Sequence, residues 1–179
     1  MTAQIDNQTF EEQSLVVAFS DLTGFWRFSR ARPAPAVVST LAAYYELVGD
    51  LVEEAGGKVV KFMGDAGLLI YPVATAERAV VGLRRLQAVG DAWLPDHDTP
   101  CRHIIKAHVG PVYCGQVGTR TEKHFDVFGE TVNTAALLPS HGLAITPSLF
   151  RQLGPSTRKL FKKHTPPVTY IPVEERHQD

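Results

Sequence analysis

Two aspartates stand where their chemistry needs a partner. Asp21 closes the apolar run LVVAFS, a strand-like stretch, and Asp65 sits between glycines in the segment KFMGDAGLLIY. A lone carboxylate at the end of a buried strand costs several kcal/mol unless a cationic side chain, a helix N-terminus or a metal answers it. If the second segment is a hairpin beside the first strand, both carboxylates project from one end of the sheet. Two adjacent carboxylates repel, and both ionise only with a cation between them. Hard oxygen ligands with no histidine or cysteine nearby select Mg²⁺ or Mn²⁺. Two such ions, about 3.5–4 Å apart, form the usual clamp for in-line displacement at phosphorus. Gly24, three residues past Asp21, would let backbone N–H groups approach a triphosphate. Each aspartate taken alone also fits an ordinary turn or cap residue.

The elements that must position these groups follow from periodicity. Residues 1–13 read as a loose lead-in, and residues 14–179 as one domain with a first strand at about 14–20. Prolines in RARPAPA can seat a helix start, and apolar residues from Val37 to Ala55 recur at helical spacing before Gly56-Gly57 stops them. KVVKFMGDAGLLIY predicts a β-hairpin with Gly64 and Gly67 bracketing the turn. A second helix is expected over 75–89 with Thr75 as N-cap, followed by a loop, DAWLPDHDTP. HIIKAHVG and VYCGQVG read as two strands joined at Gly110-Pro111, a short helix starts near Thr131, and a last strand lies near Val168–Val173. The order β-α-ββ-α-ββ-α-β predicts an α/β sandwich.

Composition narrows the class. The chain has 179 residues, 44% hydrophobic and 21% charged, with a net charge of −1. No global field recruits nucleic acid or a membrane, and no apolar run has spanning length. Two cysteines, Cys101 and Cys114, without a CxxC fit free thiols in a reducing compartment, so the reading is cytoplasmic. His103 and His108 lie an odd number of residues apart on one strand, which points them to opposite faces and excludes a shared metal.

FSDLTGF, GGKVVKFMGDAGLLIYP, KAHVGPVYCGQVG and FDVFGETVNTAA follow one another at separations that resemble the catalytic domain of the class III nucleotidyl cyclases. The resemblance covers about residues 14–138. It implies a ferredoxin-like α+β domain that pairs head-to-tail as a homodimer, with active sites at the interface. It also implies conversion of a nucleoside triphosphate to a 3′,5′-cyclic nucleotide and pyrophosphate. Asp21 and Asp65, with the Leu22 carbonyl, would hold two Mn²⁺ or Mg²⁺ ions per site. Gly24 and Phe25 would meet the triphosphate, Lys61 and Asp126 of the other subunit the base, and Asn133 the ribose. Lys162 or Lys163 resembles the family's phosphate-binding lysine.

Two positions depart from that pattern. Leu137 stands where the family has a phosphate-stabilising arginine, which Arg120, Lys123 or the run RKLFKKH would have to replace; a catalytically silent, nucleotide-binding or dimerising module is the alternative. Trp26 replaces a small hydroxyl residue and is expected to pack under the loop rather than stack on a ligand. A Lys–Asp pair goes with adenine in the family's purine cyclases, yet uracil and cytosine offer the same donor–acceptor edge. Crowding by Phe62, Met63, Phe125 and Phe128 would suit a pyrimidine, and in showing no attached sensor domain the chain resembles the short stand-alone pyrimidine cyclases of bacteria. Such an enzyme would make cUMP or cCMP in bacterial anti-phage defence, with adenylate cyclase as the other reading.

Overall fold

Apolar residues on both parities give β2 (Gln8–Leu22) two buried faces, with Val16 and Ala18 on one and Leu15 and Val17 on the other. In the computed structural model, which describes residues 2–5 and 8–175, β2 is the axis of a nine-stranded sheet. It is preceded by β1 (Thr2–Ile5) and followed by α1 (Phe25–Arg30), α2 (Ala34–Glu54), β3 (Lys58–Met63), β4 (Ala66–Pro72), α3 (Ala76–Asp96) and β5 (His103–Gly118). Then come β6 (Lys123–Phe128), α4 (Glu130–Leu137), β7 (Leu143–Ile145), α5 (Pro147–Arg151), α6 (Pro155–Arg158), β8 (Phe161–His164) and β9 (Thr169–Pro172). The strands run β3-β4-β2-β5-β7-β9-β8 across the sheet, with β1 on β2 and β6 on β5. Strands β2, β3, β4 and β5 with α2 and α3 make the ferredoxin-like β-α-β-β-α-β unit, an α+β fold, as expected.

Both long helices cover one face. Tyr44, Val48 and Val52 of α2 and Ala79, Val80 and Leu83 of α3 share a core with Val16, Ala18, Leu69, Ile105 and Ala107. The other face carries a smaller cluster of Leu15, Val17, Leu68, Ile70, Val112 and Val127 beneath Ala135 of α4. Strand parity therefore separates a helix-packed face from a face covered by one short helix.

Several boundaries differ from the sequence expectation. The stretch read as a lead-in to residue 13 lies largely in the sheet, because Phe10–Gln13 pair with Val112–Gly115 and Thr2–Ile5 pair with Gln8–Glu11; residues 1, 6 and 7 are outside the described residues. Backbone pairing does not depend on the polar side chains that suggested a loose segment. Gly110-Pro111 is not a joint between two strands, since β5 runs through it. A residue's N and C=O point to the same side of an antiparallel strand, and the Pro111 carbonyl accepts from Thr131 Oγ1 at 2.7 Å rather than from β2. The missing N–H thus falls on the side facing α4, where no ladder needs it. Gly110 leaves room there, because a Cβ on it would lie 2.5 Å from Thr131 Oγ1.

The second helix continues through the stretch read as a loop, to Asp96. Thr75 occupies its N-cap position, but its hydroxyl donates to the Pro72 carbonyl at 3.0 Å instead of capping the helix. The basic run near residue 160 includes strand β8, and β9 falls where the last strand was expected.

Two glycines in long helices behave oppositely. A Cβ on Gly90 would sit 2.3 Å from Nδ1 of buried His103, whereas nothing lies within 4 Å of one on Gly49. Gly90→Ala is expected to destabilise the fold by about 1–3 kcal/mol through overpacking. Gly49→Ala is expected to stabilise it by about 0.5–1 kcal/mol through lower unfolded-state entropy. Chemical denaturation of the two variants reads both signs.

Candidate active site

Strand register brings the two aspartates together. Ser20 pairs with Gly67 across β2 and β4, so one further step sets Asp21 beside Ala66 and the next sets Leu22 beside Asp65. Asp65 is the second residue of a two-residue hairpin loop whose first, Gly64, has φ of +66°. A positive φ at the first loop position is what a II′-type hairpin demands, and glycine supplies it without strain. Tyr45 OH donates to the Gly64 carbonyl at 2.5 Å and fixes the loop to α2.

The two half-buried carboxyls lie close enough for Asp21 to bear on the protonation of Asp65. Burial, then the hydrogen bond and charge of Asp21, push Asp65 up to about 6, while the Leu22 amide acts in the opposite sense. That amide also donates to Asp21 Oδ1 at 2.9 Å. Among the described residues no Lys or Arg forms an ion pair with either carboxyl. The pair therefore lacks the positive charge that would let both groups ionise near neutrality. An all-oxygen set of two carboxylates and the Leu22 carbonyl fits Mg²⁺ or Mn²⁺, which binds one or two carboxylates together with substrate phosphates. It does not amount to a self-sufficient cage: no cluster of three or more potential side-chain ligands occurs among the described residues.

Beneath Asp21 lies a polar triangle that the sequence reading missed. Ser20 Oγ, Tyr44 OH and His103 Nε2 lie 2.6–3.1 Å apart, and all three residues are at most 1% exposed. It joins β2, α2 and β5 under the strand end that carries Asp21. Burial holds His103 down to about 4, so the ring is neutral near pH 7. The available signal was Ser20, a hydroxyl at a core-facing position of an otherwise apolar strand. His108 pairs with Val17 and points to the other face, where Nδ1 meets Thr146 Oγ1 at 2.8 Å. The opposite-face expectation for the two histidines holds. Burial raises the thiol pKa of both Cys101 and Cys114, in keeping with inert packing roles.

Lys61 of β3 and Asp126 of β6 meet in one protomer, with Nζ 2.5 Å from Oδ2. Their side chains are 42% and 13% exposed, so the donor is accessible and the acceptor largely sheltered. Of the aromatics expected to crowd this pair, Phe62 does not. It alternates to the helix-packed face and stacks on Tyr45 at 3.9 Å. Phe128 is exposed and meets Phe10, which leaves Met63 on the open face and Phe125 beneath Lys58, whose Nζ lies 4.2 Å from the ring centre.

The remaining site residues are spread out. Gly24 adopts φ of +66° with open space around it, so the loop backbone is approachable. The Phe25 side chain is buried against Phe28, leaving only its backbone for a ligand. Trp26 is 58% exposed, contrary to the expected packing, because the α1 spacing gives Phe25 and Phe28 the core-facing positions. Asn133 is exposed on α4 and touches Glu130 at 3.4 Å. Leu137, one turn further, is 82% exposed. Lys162 donates to the Glu175 carbonyl and Lys163 is exposed, both on β8, four places from β2 in the sheet. Within one protomer these lysines do not converge on Asp21 and Asp65.

Comparison with known proteins agrees with this architecture. Residues 7–148 match the family profile of the adenylate and guanylate cyclase catalytic domain. An uncharacterised protein of Mycobacterium tuberculosis is 32% identical over 130 residues, 72% of this chain and 23% of that protein. Retinal guanylyl cyclase 1 of Rattus norvegicus is 33% identical over 155 residues, covering 80% of this chain and 13% of its own length. The chain thus spans about a quarter or less of the length of these relatives. The crystal structure of the adenylyl cyclase CyaB from P. aeruginosa superposes with a TM-score of 0.80 at 18% identity, covering 93% of this chain and 97% of that one. No helix among the described residues is long and apolar enough to cross a membrane.

The carboxyl pair predicts a pH-dependent response to divalent ions. A folded-state pKa raised above the unfolded value favours the protonated form, so this contribution to stability is lost as pH rises through about 6. A bound cation replaces the proton and restores it. The gain in unfolding temperature from Mn²⁺ is therefore expected to be larger at pH 7.5 than at pH 5, and to shrink in Asp65→Asn. A gain independent of pH would place the ion elsewhere.

Proposed function

Since the chain belongs to the adenylate and guanylate cyclase catalytic-domain family, we propose that it is a nucleotidyl cyclase that turns a nucleoside triphosphate into a 3′,5′-cyclic nucleotide and pyrophosphate. The observation that carries the reading is the juxtaposition of Asp21 and Asp65 by the strand register, two carboxyls with no cationic partner among the described residues and one with a raised pKa. Two Mg²⁺ or Mn²⁺ ions, when bound there, would supply charge neutralisation for the triphosphate and a lowered pKa for the ribose hydroxyl. Asp21, Asp65 and the Leu22 carbonyl hold them, and the Leu22 amide keeps the Asp21 carboxylate oriented. The 3′-hydroxyl oxygen bonds to the α-phosphorus, its proton passing to solvent, as the bond to the β-phosphate's bridging oxygen breaks and pyrophosphate leaves. No protein nucleophile takes part.

The site is completed by a second copy of the chain. Lys61 donates to the base and Asp126 accepts from it, Asn133 orients the ribose, and Lys162 or Lys163 meets the phosphates, all from the partner protomer. The separation of β8 from β2 within one protomer supports a homodimer with two sites. Lys61 and Asp126 form the matching donor and acceptor for the N1 and N6 edge of adenine. The turning away of Phe62 leaves more depth beside Lys61 than the crowding argument allowed. ATP is accordingly the first substrate reading.

Phe125, held beneath Lys58 next to Asp126, favours a second reading. It narrows the same pocket for a pyrimidine, whose edge offers an equivalent pair, giving cUMP or cCMP as a defence messenger. Exposed Leu137 favours a third, a silent nucleotide-binding dimer.

Incubation with each of the four nucleoside triphosphates and Mn²⁺, with products identified by mass, is expected to yield mainly cAMP. Mainly cUMP or cCMP selects the second reading, and no cyclic product selects the third. Asp21→Ala is expected to reduce the rate by about a hundred-fold or more while leaving the fold intact.

A further inference from the structure

Most of the described arginines are engaged by oxygen. Arg84 pairs with Glu174, Arg85 with Glu54 and Arg102 with Glu175, and Arg32 donates to the Asp98 carbonyl at 2.8 Å. Arg27 and Arg30 differ. Among the described residues neither guanidinium has a carboxylate or carbonyl partner, and both lie against the ring of Trp26, at 5.4 and 5.9 Å from its centre. An indole that is 58% exposed thus holds two cations on one short helix.

Stacking a guanidinium on an aromatic ring leaves its N–H edge free to donate. Two such groups on one ring repel unless they share an anion with several oxygens, the ligand that arginine forks fit best. The groove beside Trp26 and Arg27, of about 640 Å³, is lined by these two with Thr23, Gly24, Phe28 and Pro100, and Arg30 approaches it only from the Trp26 ring. Its rim begins two residues beyond Asp21, at Thr23, and continues to the open, left-handed Gly24. One end of a phosphate chain at the Asp21–Asp65 pair would carry its other end into this groove. The chain also has a charge to replace, because exposed Leu137 puts no cation on the α4 face that carries Asn133.

We propose that Trp26, Arg27 and Arg30 form a receptor for the terminal phosphates of the triphosphate, and for pyrophosphate as it leaves. The inference rests on the cyclase reading for the identity of the substrate, but the phosphate-chain chemistry can be tested apart from it.

The probe is inorganic tripolyphosphate with Mg²⁺, titrated into the full chain by calorimetry. Emission from Trp26 is taken as the difference between wild type and Trp26→Phe. The expected result is saturable binding with a change in Trp26 emission. Arg27→Ala/Arg30→Ala should weaken that binding about ten-fold or more, and Arg151→Ala should leave it unchanged. In turnover, the double variant should raise KM for the nucleotide and the inhibition constant of pyrophosphate together, with a smaller change in kcat. Wild-type affinity for tripolyphosphate in the double variant overturns the proposal. So does binding of polyglutamate or anionic vesicles, but not tripolyphosphate, through these residues. Failure to make any cyclic nucleotide with the expected tripolyphosphate behaviour removes the cyclase reading and keeps the receptor. Cyclic product with wild-type KM and pyrophosphate inhibition in the double variant does the reverse.

Discussion

Two carboxyl groups held in contact at the end of β2 are an unfavourable arrangement in the isolated chain, and the surrounding elements exist in a form that enforces it. The β2–β4 register sets Asp65 beside Leu22, and glycine at position 64 lets the hairpin turn in two residues. Tyr45 ties that turn to α2, while Ser20, Tyr44 and His103 fasten the strand end from below. Rigid support from both sides means that the electrostatic conflict is not relieved by moving apart. It is relieved by a proton, which adds to the larger effect of burial in raising the pKa of Asp65, or by a cation. A rigid, charge-deficient oxygen pair has its ligands positioned before the ion arrives, which lowers the cost of organising them.

The sheet divides its labour by parity. One face is filled by α2 and α3 and supplies most of the buried apolar area. The other carries a smaller apolar cluster under α4, and it is on this side that Lys61 and Asp126 span the sheet from β3 to β6. In the free protomer that ion pair satisfies both partners, so an entering base must replace each interaction to bind without loss. A donor and an acceptor already in contact discriminate against bases that can answer only one of them.

Positive charge is distributed unusually for a site that handles polyphosphate. The α4 face with Asn133 ends in exposed Leu137, Lys162 donates to the Glu175 carbonyl, and two guanidiniums without an oxygen partner among the described residues lie on α1 beside Trp26. An exposed tryptophan on a short helix contributes little to the core, which Phe25 and Phe28 serve. Its use as a platform for arginines accounts for a large aromatic at a solvent-facing position.

Much of this was legible in the residue order. The alternation of strand and helix patterns, the Asp21 and Asp65 placements, and the odd spacing of His103 and His108 each follow from local periodicity, which the chain carries along its own length. The ferredoxin-like unit followed from the family resemblance, as did the roles assigned to Lys61, Asp126 and Asn133. What local pattern could not decide was anything set by pairing across the sheet. Whether Pro111 breaks β5 depends on which side its missing N–H faces, and that side is chosen by α4. Phe62 and Lys61 are neighbours in one strand and so point to opposite faces, but only the packing of α2 on the sheet, with Tyr45 stacked on Phe62, decides that the aromatic takes the helix-packed face and leaves the base pocket. The contact between Asp21 and Asp65, the buried triangle beneath them and the Trp26 cluster join residues from different elements. A linear pattern records which residues are present and their period; the tertiary structure alone decides which of them share a face, because that depends on register and on the helix that covers it.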